Sequence, residues 1–566
     1  MLIIDLTNEN KLNTTHRKLL KSICLNQKNN FNHLVSKISK NFNTDLDWWV
    51  SSPSNRNTLT SNLYLKYCMT KLILILSKKE KIDRIYVDSK FFKNLLSQII
   101  SHRFIIIKKN NGISKYNVKL LKYVSYQFIF RFLQNIACKL SLQNHKLKKI
   151  NDAILIDTYV LPGYYTKDRY FNGLVEGLSS IQKKKIYFVP TITYTPLRKK
   201  YNIIGNILSV YKDLRNSKKQ YLIKEDYLSL KDIIFSIFFP FRIRKFNFQN
   251  LIESGIDYSF IFYEDLYNIN NYNLSIEGIL NYQFIKKLSI KNIIIKTFIN
   301  WWENQPVDRG YNLGINKFFP KINSVGYLGY IPREFELHIC PTLCEQKNGL
   351  LPKSICVTGK SIIPLVKLFN KNLNINIAPA FRYNYLWSKI KKKKNKIFTI
   401  LLALPISYED SINILRIIYS IDQKFFNKIN FQIKMHPTMN KTILCKMFDF
   451  QDKKINFSEN DAFDSISNSN LVITSMSIIS MESIALGVPV IIIDRETVLN
   501  YNPVPDKIPK KLWKLSKDSA EVRKNIIFYK NKYYNSSTYF NKNNNKIKEN
   551  YFSKINKKNI LKFLKI

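Results

Sequence analysis

The chain has 566 residues, 45% of them apolar and 14% aromatic, a content that excludes a disordered polymer and suits roughly two or three domains. Its 90 Lys and Arg against 40 Asp and Glu leave a formal net charge of +50. The lysines are spread along the whole chain and no RNA- or DNA-binding signature accompanies them, which sets dedicated nucleic-acid binding aside; compositional drift and weak attraction to an acidic membrane face remain.

The opening "MLIIDLTNEN" carries acids where a signal peptide needs a basic region. No apolar run reaches the ~20 residues of a spanning helix; "LILILS" and "IIFSIFFPF" are too short. A cytoplasmic protein is expected, peripheral to the inner membrane at most. In chain order, "DLDWWVSSPSNRNT" reads as strand then loop, with Arg56 a candidate for an anion or acceptor loop. A helix follows from Leu63, and "RIYVDS" is a strand. "DAILIDTYVLPG" is a buried strand running into a loop, "YFNGLVEGLSSIQ" a helix and "KIYFVPTITY" the next strand. "IIFSIFFPF", followed by "RIRKF", reads as a buried element or as a membrane-interface segment. "NIIIKTFINWWENQ" is a strand ending in a polar loop.

From here strands and helices alternate with short connections. "SICVTGK" is strand plus turn, "SIIPLVKLFNKN" helix and "ININIAP" strand. The basic run "KIKKKKNK" reads as a loop before the strand "KIFTILLALPI". The helix "YEDSINILRIIYSI" leads to the strand "NFQIKMHP", then helix "TMNKTILCKMF" and strand "KINFSEN". The short helix "DAFDSISNSN" precedes strand "LVITSMS", helix "SIISMESIALG" and strand "PVIIID". Such alternation predicts parallel sheets covered by helices. The expected organisation is α/β, with two Rossmann-like domains facing a cleft, residues 1–350 and residues 351–525, and a basic helical tail, 526–566, packing back on both.

His436 stands at the carboxyl end of a strand, the usual ligand edge of a parallel sheet. Pro437 turns the chain away, and Lys434 shares the strand face. In "TSMSIISMESIALGVPVI", Ser475, Ser477 and Ser480 gather about a helix start, where free N–H groups favour an anion; their plain reading is helix capping. Glu482 is placed to reach a ribose or base, or simply complements the helix dipole. "INWWENQPVDRGYNLGIN" sets Glu303 beside Trp301 and Trp302, with Asp308 and Arg309 close behind. A carboxylate against apolar rings can have a raised pKa and serve as base; the alternative is a buried Glu303–Arg309 pair. Arg333, Glu334, Glu336, Glu345 and Arg382 are further candidates. His338, Cys340, Cys344 and Cys356 have spacings that match no common zinc site, and Asp45/Asp47 lie before an expected strand rather than at its end.

"KMHP" followed by "TSMSIISMESIALGVPVI" resembles the donor half of GT-B glycosyltransferases, most closely the bacterial surface-polysaccharide enzymes that use CMP-sugars, the sialyl- and Kdo-transferase types. The likeness covers about 395 to 500. It implies that His436 and Pro437 frame the nucleotide phosphate, that Ser475 and Ser477 bind it, and that Glu482 meets the ribose. Neither metal nor cofactor is implied. The acidic pair followed by Gly that supplies the base in such sialyltransferases is not matched: "FYEDLYN" has Glu264 and Asp265 without Gly, and "SIEG" has Glu277 alone. The expected function is transfer of a sugar from a nucleotide-activated donor, CMP-linked by preference, to a cell-envelope glycan or lipid-linked acceptor. The alternatives are CDP-glycerol-type polyol-phosphate transfer, sugar-nucleotide epimerisation, and a non-catalytic basic binding protein.

Overall fold

The computed structural model describes residues 2–108, 113–142, 150–160, 168–192, 203–249, 251–388, 397–422, 425, 429–437, 439–451, 455–495, 497–499, 501–535 and 544–566. The strands, in chain order, are β1 (Leu2–Asp5), β2 (Ile82–Val87), β3 (Ile105–Ile107), β4 (Ala153–Val160), β5 (Ile186–Ile192), β6 (Ile252–Glu253), β7 (Ile256–Asp257), β8 (Ile295–Trp301) and β9 (Asn323–Leu328). They continue with β10 (Ser354–Val357), β11 (Ile375–Ile377), β12 (Phe398–Ala403), β13 (Ile429–Lys434), β14 (Ile455–Phe457), β15 (Leu471–Thr474), β16 (Val490–Ile493) and β17 (Trp513–Ser516).

Two six-stranded parallel sheets carry the fold, ordered β11-β10-β9-β8-β4-β5 and β14-β13-β12-β15-β16-β17. The first strand of each sheet lies inside it, and later strands are added on both sides. This is the doubly wound arrangement of Rossmann-like units, as expected. A small parallel sheet, β1-β2-β3, and the β6–β7 hairpin complete the first unit. β12, β15 and β16 are buried at every position, as strands must be when helices cover both faces, so their sequences are unbroken apolar runs. β13, one place from the edge, alternates buried and half-buried residues.

The expected boundary at 350 moves. β10 and β11 lie beyond it in sequence, yet β10 pairs with β9, Ile355 opposite Gly326, and β11 pairs with β10. The first sheet therefore extends to Ile377 and the second begins at Phe398. A buried parallel strand looks alike in either sheet, and only pairing assigns it. The Lys389–Lys396 run lies outside the described residues. Two local expectations also change. Leu46–Trp49 is a short helix capped by Asp45, whose Oδ1 accepts from the Asp47 N–H at 2.9 Å, rather than a strand. The helix expected over "YFNGLVEGLSSIQ" is a series of turns, with helix only at Ser180–Lys184; Gly173 at φ 84° stands where a helix cannot continue.

The helices Tyr272–Ile290 and Pro306–Phe318 cross backbone to backbone at Gly278 and Gly310. A Cβ on Gly310 would strike the Gly278 carbonyl, and one on Gly278 would strike that of Pro306. Gly310→Val is expected to lower stability by about 3 kcal/mol or more, because the obstacle is backbone and cannot rotate aside. Chemical denaturation of the variant, reading the urea midpoint, checks this.

The second unit does not end at its own sheet. Beyond the helix Ser519–Asn535, the chain crosses back to the first unit. Ser553 N–H donates to Thr358 O at 2.7 Å, and Ala380 N–H donates to Ser553 O at 2.9 Å. Ile560, Phe563 and Leu564, on the helix Lys557–Leu564, join Ile154, Trp301 and Tyr327 in one apolar cluster. The last helix is thus part of the first unit's core, while Ile526, Tyr529, Ile547 and Tyr551 earlier in the tail pack with the second. "IIFSIFFPF" forms the helix Leu230–Ile237 and a following turn, with Ile233, Ile237 and Phe239 buried and Ile234, Phe235 and Phe238 exposed. Among the described residues no helix is long and apolar enough to cross a membrane.

Candidate functional site

In open α/β sheets ligands bind beyond the carboxyl ends of the strands, where the strand order reverses. In the second sheet that point lies between β12 and β15. The chain leaves β12 through Pro405 and Ile406 and leaves β15 through Ser475 to Ile478; β13, beside β12, ends before His436. In the first sheet the reversal lies between β4 and β8, and Glu303 follows the end of β8. Both points open on one cavity of about 300 Å³. Its wall carries Glu303, Arg333 and Glu336 from the first unit, and His436, Met476 and Ser477 from the second, with Arg382 between. A wider hollow of about 960 Å³ lies along the edge strand β14 and is lined by none of the candidate residues.

His436 is half-buried, and burial pushes its pKa down, followed by the positive charges of Arg169 and Arg382. Its ring is therefore neutral near pH 7, with one N–H to donate. Arg382 makes no ion pair or hydrogen bond among the described residues; its guanidinium lies 5.8 Å from the Tyr383 ring. A half-buried arginine without a carboxylate partner, beside a second arginine, leaves positive potential directed at the cavity. Ser477 lies on the cavity wall. Ser475, just beneath, is buried, and its Oγ has no hydrogen-bond partner among the described residues.

Across the cavity, Glu303 is held by two donors. Trp301 Nε1 donates to Oε1 at 2.8 Å and Gln305 Nε2 donates to Oε2 at 2.7 Å. Burial raises its pKa above the ordinary 4.5, against the lowering effect of these bonds and of Arg382. Glu336 is buried, accepts from the Tyr330 hydroxyl at 3.0 Å, and is pushed up by burial to about 7. Two carboxyl groups with raised pKa thus share one wall, facing the basic side.

Other candidates are placed elsewhere. Asp308 is buried, and its Oδ2 accepts the backbone N–H groups of Glu303 at 2.7 Å and Gln305 at 3.0 Å. It shapes the loop that presents Glu303 and does not line the cavity. Arg309 is fully buried and paired with Glu345, which also takes Arg56 at 2.7 Å. The buried pair expected for Arg309 exists, but with Glu345 rather than Glu303, and it removes Arg309 and Arg56 from ligand binding. Lys434 donates to the Asn460 carbonyl and is not on the cavity wall. Pro437 is exposed in the turn after β13. Ser480 is buried, its hydroxyl bonded back to Ser477 O at 2.8 Å. Glu482 is buried and accepts from the Tyr385 hydroxyl; it lies near enough to Arg382 and Arg169 to feel both charges. Glu334, itself exposed, pairs with the largely buried Lys28 at 3.0 Å. Glu264 pairs with Lys66 at 2.6 Å, Asp265 accepts from Ser61 at 2.6 Å, and Glu277 pairs with Arg131 at 2.9 Å, all away from the cavity. Asp47 pairs with Arg242 at 2.8 Å. His338 is buried, and burial and the neighbouring arginines lower its pKa to about 3. Among the described residues, no group of three or more His, Cys, Asp or Glu is arranged to hold a metal ion.

Sequence reasoning missed Arg169, Tyr330 and Tyr385. Arg169 and Tyr385 act on the site through neighbours distant in sequence, Tyr330 lines the cavity beside Glu336, and none stands in a motif.

No protein-family model matches the chain, and no curated protein matches it. Among solved structures it is similar to an S. aureus MnaA–UDP co-structure, with a TM-score of 0.41 and 11% identity over 72% of this chain and 94% of that one. It is similar to a UDP-GlcNAc 2-epimerase from Neisseria meningitidis bound to UDP-GlcNAc, with a TM-score of 0.39 and 14% identity over 69% and 94%. It is also similar to the wall teichoic acid polymerase TagF, with a TM-score of 0.34 and 8% identity over 80% and 97%.

Proposed function

We propose that the chain is a GT-B-like transferase that takes a sugar from a nucleotide-activated donor, CMP-linked by preference, and passes it to a glycan or lipid-linked acceptor at an acidic membrane face. One observation carries this reading: His436, Ser477 and Arg382 meet Glu303 around a single cavity at the reversal points of both sheets. The donor phosphate would lie against Arg382, the His436 N–H and the Ser477 hydroxyl. These groups stabilise the charge that grows on the phosphate oxygen as its bond to the sugar carbon breaks. Glu303 takes the proton from the acceptor hydroxyl as the new carbon–oxygen bond forms. Glu482, hydrogen-bonded to Tyr385, acts on Arg382 through its charge alone in this reading, in place of the ribose contact expected from sequence.

A second reading, epimerisation of a sugar nucleotide, is favoured by the presence of Glu303 and Glu336 on one wall, since moving a proton off and onto a carbon needs two such groups. Incubation with CMP-, CDP- and UDP-linked donors, with and without a glycan acceptor, separates the readings. Nucleotide release that needs acceptor supports transfer; change of the donor without acceptor supports epimerisation. Release from a CDP-polyol alone among the donors would move the reading to polyol-phosphate transfer. No change in any donor, with nucleotide still bound, would leave a binding protein.

A further inference from the structure

The helix Ile113–Leu140 is the longest described, and its 28 residues contain no Asp or Glu. One face is built into the fold: Ala137 and Cys138 pack with Ile207, Val210, Tyr211 and Leu214, and Leu120, Gln127 and Gln134 are buried. The opposite face is apolar and bare. Val118, Leu121, Ile129, Phe132, Ile136 and Leu140 are each 38% exposed or more. At 3.6 residues per turn these six fall within about 100° of arc and run for about 33 Å along the axis. Lys119, Lys122 and Lys139 are exposed among or beside them. The helix Leu230–Ile237 packs against the same helix and adds Leu230, Ile234 and Phe235, with Phe238 just beyond, all exposed. The basic turn Arg242–Lys245 follows, and the Arg242 guanidinium lies 3.9 Å from the Phe235 ring centroid.

We infer that this face is a docking surface for an anionic lipid bilayer, on which the 113–140 helix lies in the plane of the headgroups. A soluble protein rarely leaves an apolar stripe of this length uncovered. Its basic flank, with no acid on the helix, is complementary to acidic headgroups and opposes a second copy of this chain, which carries the same charge. Of the nearby acids, Glu277 pairs with Arg131, Asp226 with Arg215, Asp47 with Arg242 and Asp232 with Lys287, and Glu225 lies beside the Arg131 charge. The inference deepens the membrane part of the function proposed above and uses no residue of the cavity.

The test is co-sedimentation of the full chain with phosphatidylcholine vesicles, with and without phosphatidylglycerol. Binding is expected only to the anionic vesicles and is expected to weaken as salt rises. The double substitution Ile129→Glu with Phe132→Glu is expected to reduce binding at least tenfold, and replacing Lys119, Lys122 and Lys139 by Ser to remove the preference for anionic lipid. Both variants should keep the wild-type melting temperature and its response to nucleotide, which shows them folded and the cavity intact. Wild type left in the supernatant with anionic vesicles, or undiminished binding by the Glu variant, overturns the proposal. So does a dimer in gel filtration that the Glu variant dissolves. A missing nucleotide response with normal vesicle binding counts against the cavity alone.

Discussion

Arg382→Ala is expected to weaken nucleotide binding by roughly 10- to 100-fold while leaving the unliganded protein as stable as wild type. A hydrogen bond to a charged group contributes about 1.5–3 kcal/mol, and 1.4 kcal/mol is a factor of ten in affinity. Nothing comparable is lost from the folded protein, because Arg382 has no ion pair or hydrogen bond among the described residues. His436→Ala should act in the same direction. It removes a neutral donor in a half-buried position, and its effect should be smaller than that of Arg382→Ala. Thermal shift in CMP, CDP and UDP reads both terms at once: the midpoint without nucleotide reports stability, and the rise at saturation reports binding. A protein whose melting temperature falls on Arg382→Ala without nucleotide, or whose nucleotide response is unchanged, contradicts the anion role.

Glu303→Gln is expected to spare donor binding and to slow transfer by about 10²–10⁴, the usual range for loss of a positioned base. The amide keeps the shape of the loop and can still receive the Trp301 N–H, so the change is chiefly one of proton affinity. The pH dependence gives an independent check. A base works in its ionised form, and burial has raised this carboxyl above 4.5. Turnover should therefore rise with pH through a limb centred above 4.5, and that limb should vanish in the variant. Glu336 provides the contrast. Its carboxyl is pushed up to about 7, so a limb centred near neutrality that survives Glu303→Gln and disappears in Glu336→Gln would transfer the base role to it.

How far the site could be read from sequence follows from what kind of contact holds each residue. His436 and Ser477 were legible because each follows an unbroken or alternating apolar run and so marks a strand end. Glu303 was legible for the same reason after β8. Asp308, a second carboxylate, and Arg309, a cation, stand at almost the same place, yet the fold uses both for itself. Asp308 caps a helix, and Arg309 finds Glu345 thirty-six residues away. No local pattern distinguishes a carboxylate that caps from one that faces a cavity. The meeting of Arg169 and Arg382 near His436 depends on three separate stretches of chain converging. The unit boundary failed for a related reason: apolarity announces a buried strand and says nothing about which neighbour it pairs with, so β10 and β11 were credited to the wrong sheet.

The return of the tail has a consequence for synthesis. Domains made early on the ribosome generally fold before the rest of the chain has emerged. Here the first unit cannot finish its core until residues 557–564 have been translated, because Phe563 packs edge-on to Tyr327 and tilted against Phe381, which lie far upstream. Until that segment has emerged, the upstream strands lack the apolar partners Ile560, Phe563 and Leu564. A nonsense codon ahead of that segment would damage strands made hundreds of codons before it.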